Sequence, residues 1–108
     1  MDLTEQKCKP CEGGEPPFST DEAKQHMAAV SGWRLEHNAI KKLFVFKNFK
    51  EAMHFVNIVA DIAETEGHHP DIGISWNKVE FSLMTHAIKG LSLNDFIVAA
   101  KINKAAGE

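Results

Sequence analysis

A chain of 108 residues fits a single domain and can bury a modest core without support from metal ions or disulfides. Its net charge of -3 argues against a domain that neutralises many phosphates, as nucleic-acid-binding proteins do. No apolar run approaches the length of a membrane span, and the first residues lack the basic and apolar regions of a signal peptide, so we expect a cytoplasmic protein.

Residues 1–18 predict an irregular amino-terminal arm, followed by a single α+β domain over residues 19–108. Prolines at 10, 16 and 17 and glycines at 13 and 14 interrupt regular structure in the arm. The arm holds both cysteines, Cys8 and Cys11, whose spacing could supply half a zinc site or a redox dithiol. No second such pair exists and no strand leads into a helix here, which favours an arm without a metal or redox role.

The first helix is predicted over about residues 20–30. Ser19 is followed three residues later by Glu22, the pattern of a capping box, and Ala23, Met27 and Val30 form a weak apolar stripe. A hairpin follows between residues 33 and 46, with its turn somewhere in 37–40. Residues 43–46 are all apolar, so this strand is either central in its sheet or covered by another subunit.

The middle helix, about residues 49–64, is the clearest element. Asn48 caps it with Glu51 three residues on, and apolar residues recur at steps of three and four along one face. Gly67 is a suitable helix terminator, and Pro70 pushes His69 out of helical geometry. His68 therefore lies just past the helix end, where the helix dipole and Glu64, four residues earlier, favour a charged imidazolium.

A second hairpin is predicted over residues 71–84. With residues 77–78 as a two-residue turn, every pair on one face is apolar: Trp76 with Val79, Ile74 with Phe81, and Ile72 with Leu83. Continuing this register places His86 opposite His69, with Cβ atoms roughly 5 Å apart, unless Pro70 ends the pairing first.

The last helix is predicted over about residues 93–104, with Ser92 and Asp95 forming its capping box. The complete order αββαββα predicts an α+β sandwich, in which three helices pack on one face of a four-stranded antiparallel sheet. The exposed sheet edge and the doubly apolar first hairpin suggest association with a second copy.

One spaced set of residues resembles the signature of the pterin-4a-carbinolamine dehydratase family. In order along the chain, the set is Glu64, His68-His69-Pro70, Trp76, His86 and Asp95. No motif position departs from the family pattern, and the arm, with Cys11-Glu12-Gly13-Gly14, also resembles the start of bacterial members. The predicted order of helices and strands is similar to that of the family as well.

The resemblance implies dehydration of 4a-hydroxytetrahydropterin to quinonoid dihydropterin, which recycles the cofactor after aromatic amino acid hydroxylation. The reaction needs an acid for the leaving hydroxide and a base for a ring-nitrogen proton, and imidazoles titrate near neutral pH. The implied acid–base pair is His68 and His86, in roles that stay open. His69 would bind the pterin, supported by Glu64 and Pro70. No metal or other cofactor is implied.

Trp76 and Asp95 are interpreted as structural members of the motif, Trp76 in a core or interface and Asp95 as a capping acid. His26, His37 and His54 lie outside the motif and are left unassigned. A homodimer or homotetramer is expected, and an aromatic amino acid hydroxylase is a possible partner.

Two alternatives remain open from the sequence. The first is a binding module, because animal members of the family also act as dimerisation cofactors of a homeodomain transcription factor; this role would not need the histidines. The second is a zinc site built from Glu64, His68, His69 and His86, although adjacent histidines rarely reach one ion. Zinc titration by calorimetry separates the zinc site from the dehydratase.

Overall fold

The computed structural model describes residues 2–10, 13 and 15–108. Its α-helices are α1 (Thr20–Met27), α2 (Phe49–Glu66) and α3 (Leu93–Ala105), and its strands are β1 (Arg34–Glu36), β2 (Ala39–Val45), β3 (Asp71–Ser75) and β4 (Lys78–Leu83). Short 3₁₀ helices at Leu3–Glu5 and His86–Ile88 precede α1 and α3. The predicted αββαββα order and the α+β class are confirmed. No helix in the described part of the chain is long and apolar enough to cross a membrane.

The helix ends follow from local chemistry. Ser19 Oγ accepts from the Glu22 amide at 3.1 Å, and the Ser19 amide donates to Glu22 Oε1 at 2.9 Å, which closes the predicted capping box. Helix α1 nevertheless ends at Met27, earlier than predicted. Helix α2 ends just before Gly67, the predicted terminator. Gly67 adopts a left-handed φ of 67°, which glycine tolerates without strain.

The four strands form one antiparallel sheet in the order β1-β2-β4-β3. Strand β2 is therefore central in the sheet, one of the two predicted alternatives, although this position leaves its second apolar face uncovered. Phe44 points into the core, while Leu43 and Val45 are 49% and 62% exposed on the face away from it. The turn between β1 and β2 lies at residues 37–38, inside the predicted range.

The register predicted for the second hairpin is wrong. Ser75 pairs with Lys78, so the two-residue turn is Trp76-Asn77 and not Asn77-Lys78. Ile74 consequently faces Val79, and Ile72 faces Phe81. Trp76 adopts a φ of 53°, which a bulky residue rarely does. Strand propensity alone assigns tryptophan to a strand, which is why the sequence did not predict Trp76 in the turn. The core interpretation of Trp76 is also wrong, because its side chain is 67% exposed.

The corrected register changes the predicted placement of the histidines. Strand β3 begins at Asp71 and β4 ends at Leu83, so neither His69 nor His86 belongs to the ladder, and the prediction that they face each other across it is wrong. His86 instead begins the 3₁₀ helix after β4, where its side chain is exposed. Any approach of the two residues therefore depends on loops at the end of the sheet.

The core lies between the sheet and the helices. Apolar side chains from the sheet meet the buried stripe of α2 and nearly the whole length of α3; the most completely buried are Phe81, Phe96, Ile40, Leu83, Ile97 and Ile102. Helix α3 is buried on most sides because the arm also packs on it, through Leu3. Helix α3 is thus packed against both the core and the arm.

Candidate active site

A cleft of about 480 Å³ opens where α2 ends and α3 begins. It brings together His68 and His69 from the end of α2 with His86 from the 3₁₀ helix. The arm contributes residues 8–10, and the sheet end contributes Thr85. The volume lies in the range of small-molecule sites, about 300–1,000 Å³. Three imidazoles from two distant stretches of chain therefore share one cleft.

A buried carboxylate holds His68. The Nε2 atom of His68 lies 2.6 Å from Asp95 Oδ1, with the His68 side chain 12% exposed and that of Asp95 fully buried. The other oxygen, Asp95 Oδ2, accepts from Thr85 Oγ1 at 2.8 Å and from the Ser92 amide at 3.0 Å. Because the Asp95 carboxylate acts as an acceptor throughout, His68 donates its Nε2 proton and keeps Nδ1 for other partners.

Asp95 thus does more than the sequence predicted. The capping bond from the Ser92 amide is present, as the Ser92–Asp95 pattern indicated. The same carboxylate also orients His68, a contact across 27 positions that no local pattern reveals. Thr85 was missed entirely, because a single buried threonine carries no sequence signal of its own.

Glu64 contacts His69 and not His68. The Glu64 Oε2 atom lies 2.5 Å from His69 Nε2, and both side chains are largely exposed, at 77% and 59%. The sequence suggested Glu64 as a partner of His68 from helical spacing, but the chain leaves helical geometry at Gly67. Glu64 therefore reaches the cleft only through His69, and neither Pro70 nor Trp76 is among the described residues that line it.

Glu66 and Cys8 form a second buried contact at the cleft. Glu66 accepts from the Cys8 amide at 2.9 Å and from Lys101 Nζ at 2.6 Å. Burial by itself would raise the pKa of Glu66, but the hydrogen bonds from Lys101 and Cys8 hold that pKa below its ordinary value. Burial, and after it the Glu66 carboxylate, raises the pKa of the Cys8 thiol to about 12.

The raised pKa predicts an unreactive Cys8. A shift from 9.0 to about 12 lowers the thiolate fraction by about a thousandfold at mildly alkaline pH, and the thiolate is the reacting species. We expect Cys8 in a Cys11→Ser variant to react with iodoacetamide far more slowly in the native protein than in denaturant, as measured by peptide mass spectrometry. Equal rates in both conditions would contradict the prediction. Cys11 itself lies outside the described residues.

The histidines and their described neighbours do not form a metal-binding cluster. Across residues 2–10, 13 and 15–108, no three His, Cys, Asp or Glu side chains converge in a way that could hold an ion. Nε2 of His68 and Nε2 of His69 are each engaged by a separate carboxylate. The arrangement fits proton exchange at the remaining imidazole nitrogens.

The chain is similar in sequence to known proteins of one family. A family profile described as Pterin 4 alpha carbinolamine dehydratase matches residues 16–105. A relative from Alkaliphilus metalliredigens (strain QYMF) is 45% identical over 108 residues, covering 98% of this chain and 97% of the relative. Another, from Nitrosospira multiformis, is 51% identical over 102 residues, covering 94% and 90%. Both relatives carry the provisional name of a pterin-4-alpha-carbinolamine dehydratase.

A solved structure agrees with the sequence comparisons. The crystal structure of a transcriptional coactivator/pterin dehydratase from Brucella melitensis superposes with a TM-score of 0.81 at 32% identity, covering 84% of this chain and 99% of that one. The family profile spans most of the domain, and the relatives match nearly the full length of the chain. This chain therefore belongs to the pterin-4a-carbinolamine dehydratase family.

Proposed function

We propose that the protein dehydrates 4a-hydroxytetrahydropterin to quinonoid dihydropterin and water, and so recycles pterin cofactor after aromatic amino acid hydroxylation. Family membership supports the reaction class. The observation that carries the proposal is the pairing of buried Asp95 with His68, in a cleft that also contains His69 and His86. The substrate is the product of a pterin-dependent hydroxylase, so we expect such an enzyme in the same compartment, the cytoplasm.

The chemistry requires two proton transfers. The C4a–O bond breaks as an acid protonates the leaving hydroxyl, the N5 lone pair forms the C4a=N5 double bond, and a base accepts the N5 proton. We assign these transfers to His68 and His86, since a positioned general acid or base contributes about 10²–10⁴-fold. His68 exchanges its proton at Nδ1 because Nε2 is held by Asp95. His86 is exposed and can return protons to solvent.

His69 is assigned to binding. Its Nε2 is engaged by Glu64, so the ring is oriented and Nδ1 remains for the pterin. Pro70 disfavours helical geometry at His69, so His69 stands outside the helix. Glu64 and Pro70 therefore support substrate binding through His69 without touching the reacting atoms.

The proposal is tested by following carbinolamine decay. Intact protein should accelerate decay well beyond the rate in buffer, and the His68→Ala, His86→Ala double variant should lose most of that acceleration. Decay at the buffer rate with intact, folded protein would overturn the dehydratase assignment. Full activity in the double variant would overturn only the choice of catalytic residues.

An exposed apolar surface supports a proposal of self-association, as a homodimer or homotetramer. Strand β3 pairs only with β4 among the described strands, which leaves its outer edge open. Ile72, Ile74 and Trp76 near this edge are 36%, 42% and 67% exposed. An open edge with apolar side chains favours pairing with a strand of another chain. The Brucella melitensis neighbour is also named a coactivator, and a protein-binding role of that kind would use such a surface and not the histidines.

A charge on this edge should disrupt the assembly. Ile74→Lys places an ammonium group in the apolar edge, so we expect a smaller mass by size-exclusion chromatography with light scattering than for the unmodified chain. Gln25→Lys, on the exposed surface of α1, adds the same charge elsewhere and should leave the mass unchanged. An unmodified chain that elutes with the mass of one copy would contradict the proposal.

A further inference from the structure

Residues 8–10 of the arm line the cleft, and two of them, Cys8 and Lys9, are held to the domain by direct hydrogen bonds. The Lys9 amide donates to Asn94 Oδ1 at 2.9 Å, and Asn94 Nδ2 donates to the Lys9 carbonyl at 2.7 Å. The Cys8 amide donates to Glu66 Oε1 at 2.9 Å, and the Cys8 thiol donates to the Asn94 carbonyl at 3.6 Å. One side-chain amide and one carboxylate thus hold two consecutive arm residues.

The groups that hold the arm are themselves fixed. Asn94 is 9% exposed, and the Glu66 side chain is 6% exposed and paired with Lys101. Asn94 also stands next to Asp95, the carboxylate that orients His68. In the first turn of α3, Asp95 therefore holds His68 and Asn94 holds the arm. These two neighbouring residues set the distance between His68 and the arm.

We propose that residues 8–10 form a fixed wall of the substrate cleft, and that Asn94 is the positioning residue that keeps this wall in place. The inference rests on the proposed pterin substrate. A second cavity of about 280 Å³ shares Lys9, Pro10 and Asn94 with the histidine cleft, so a displaced arm would open one space into the other. A preformed wall lowers the cost of ordering the site when the substrate binds.

The test separates substrate affinity from turnover. Asn94→Ala removes both hydrogen bonds to Lys9 and should raise the KM for carbinolamine by about five- to tenfold with little change in kcat, because the wall acts equally on bound substrate and transition state. The Kd of a stable pterin analogue, measured by calorimetry, should rise by the same factor. Asn57→Ala, on the exposed face of α2, is the matched control and should change neither value.

A second variant controls for the case in which Asn94→Ala impairs folding. Lys9→Gly loosens the exposed arm without altering α3 and should raise the Kd in the same direction by a smaller factor. An unchanged Kd in both variants would overturn the inference, as would a loss of kcat at constant KM, which would place the effect of Asn94 on His68. Arm-dependent analogue binding by a protein that does not accelerate carbinolamine decay would overturn the proposed function and leave the wall intact. No analogue binding at all would overturn both.

Discussion

Asp95→Asn is expected to lower the kcat of carbinolamine dehydration by about 10²–10⁴-fold, while the fold is retained. In the native protein Asp95 accepts from the Ser92 amide and from Thr85 on one oxygen and from His68 on the other. Asparagine has one acceptor oxygen, and two donors already converge on the Oδ2 position. Its amide group would therefore face His68 Nε2, which would force the proton onto Nδ1 and leave His68 in the wrong tautomer.

Kinetics and unfolding measurements distinguish this tautomer effect from general damage. Stopped-flow decay of the carbinolamine gives kcat, and urea unfolding of the same variant shows whether the fold is retained. Asp71→Asn, at the exposed start of β3, removes the same charge outside the cleft and should leave kcat unchanged. An Asp95→Asn variant with native kcat would show that the Asp95 contact has no role in proton transfer.

Asn103→Leu is expected to destabilise the fold by about 2–5 kcal/mol, because it removes one acceptor from a buried ammonium group and the acceptor of a buried indole N–H. Lys42 lies on the core face of β2 and is only 7% exposed. Its Nζ donates to Asn103 Oδ1 and the Ser31 carbonyl at 3.0 Å and to Glu108 at 2.6 Å. The same Asn103 oxygen accepts from Trp33 Nε1 at 3.0 Å, so leucine would leave a second buried donor without its acceptor.

Urea unfolding measures this destabilisation. Asn57→Leu, at an exposed position of α2, should change the free energy of unfolding by no more than about 0.5 kcal/mol. Adding Lys42→Met to Asn103→Leu should recover part of the loss, because the buried ammonium group that lost an acceptor is then gone. A cost below about 1 kcal/mol for Asn103→Leu would mean that water or the two remaining acceptors satisfy Lys42.

Local sequence patterns and the family resemblance predicted much of the fold. Capping residues, helical periodicity and Gly67 predicted the three helices, because these signals depend on residues within one or two turns of each other. The alternation of strands and helices predicted the fold class. The histidine motif is sufficient to indicate the family. The structure places His68, His69 and His86 of this motif in one cleft.

By itself, then, the sequence determined the element order, the helix limits to within a few residues, and the family. The tertiary structure alone decided the register of the second hairpin, because Trp76 adopts a φ that its side chain disfavours and that local propensity does not anticipate. It also decided that Asp95 holds His68, that Glu64 holds His69, and that Asn94 and Glu66 hold the arm. Most of these contacts join residues far apart in the chain, and such contacts form only when the ends of helices, sheet and arm are packed together.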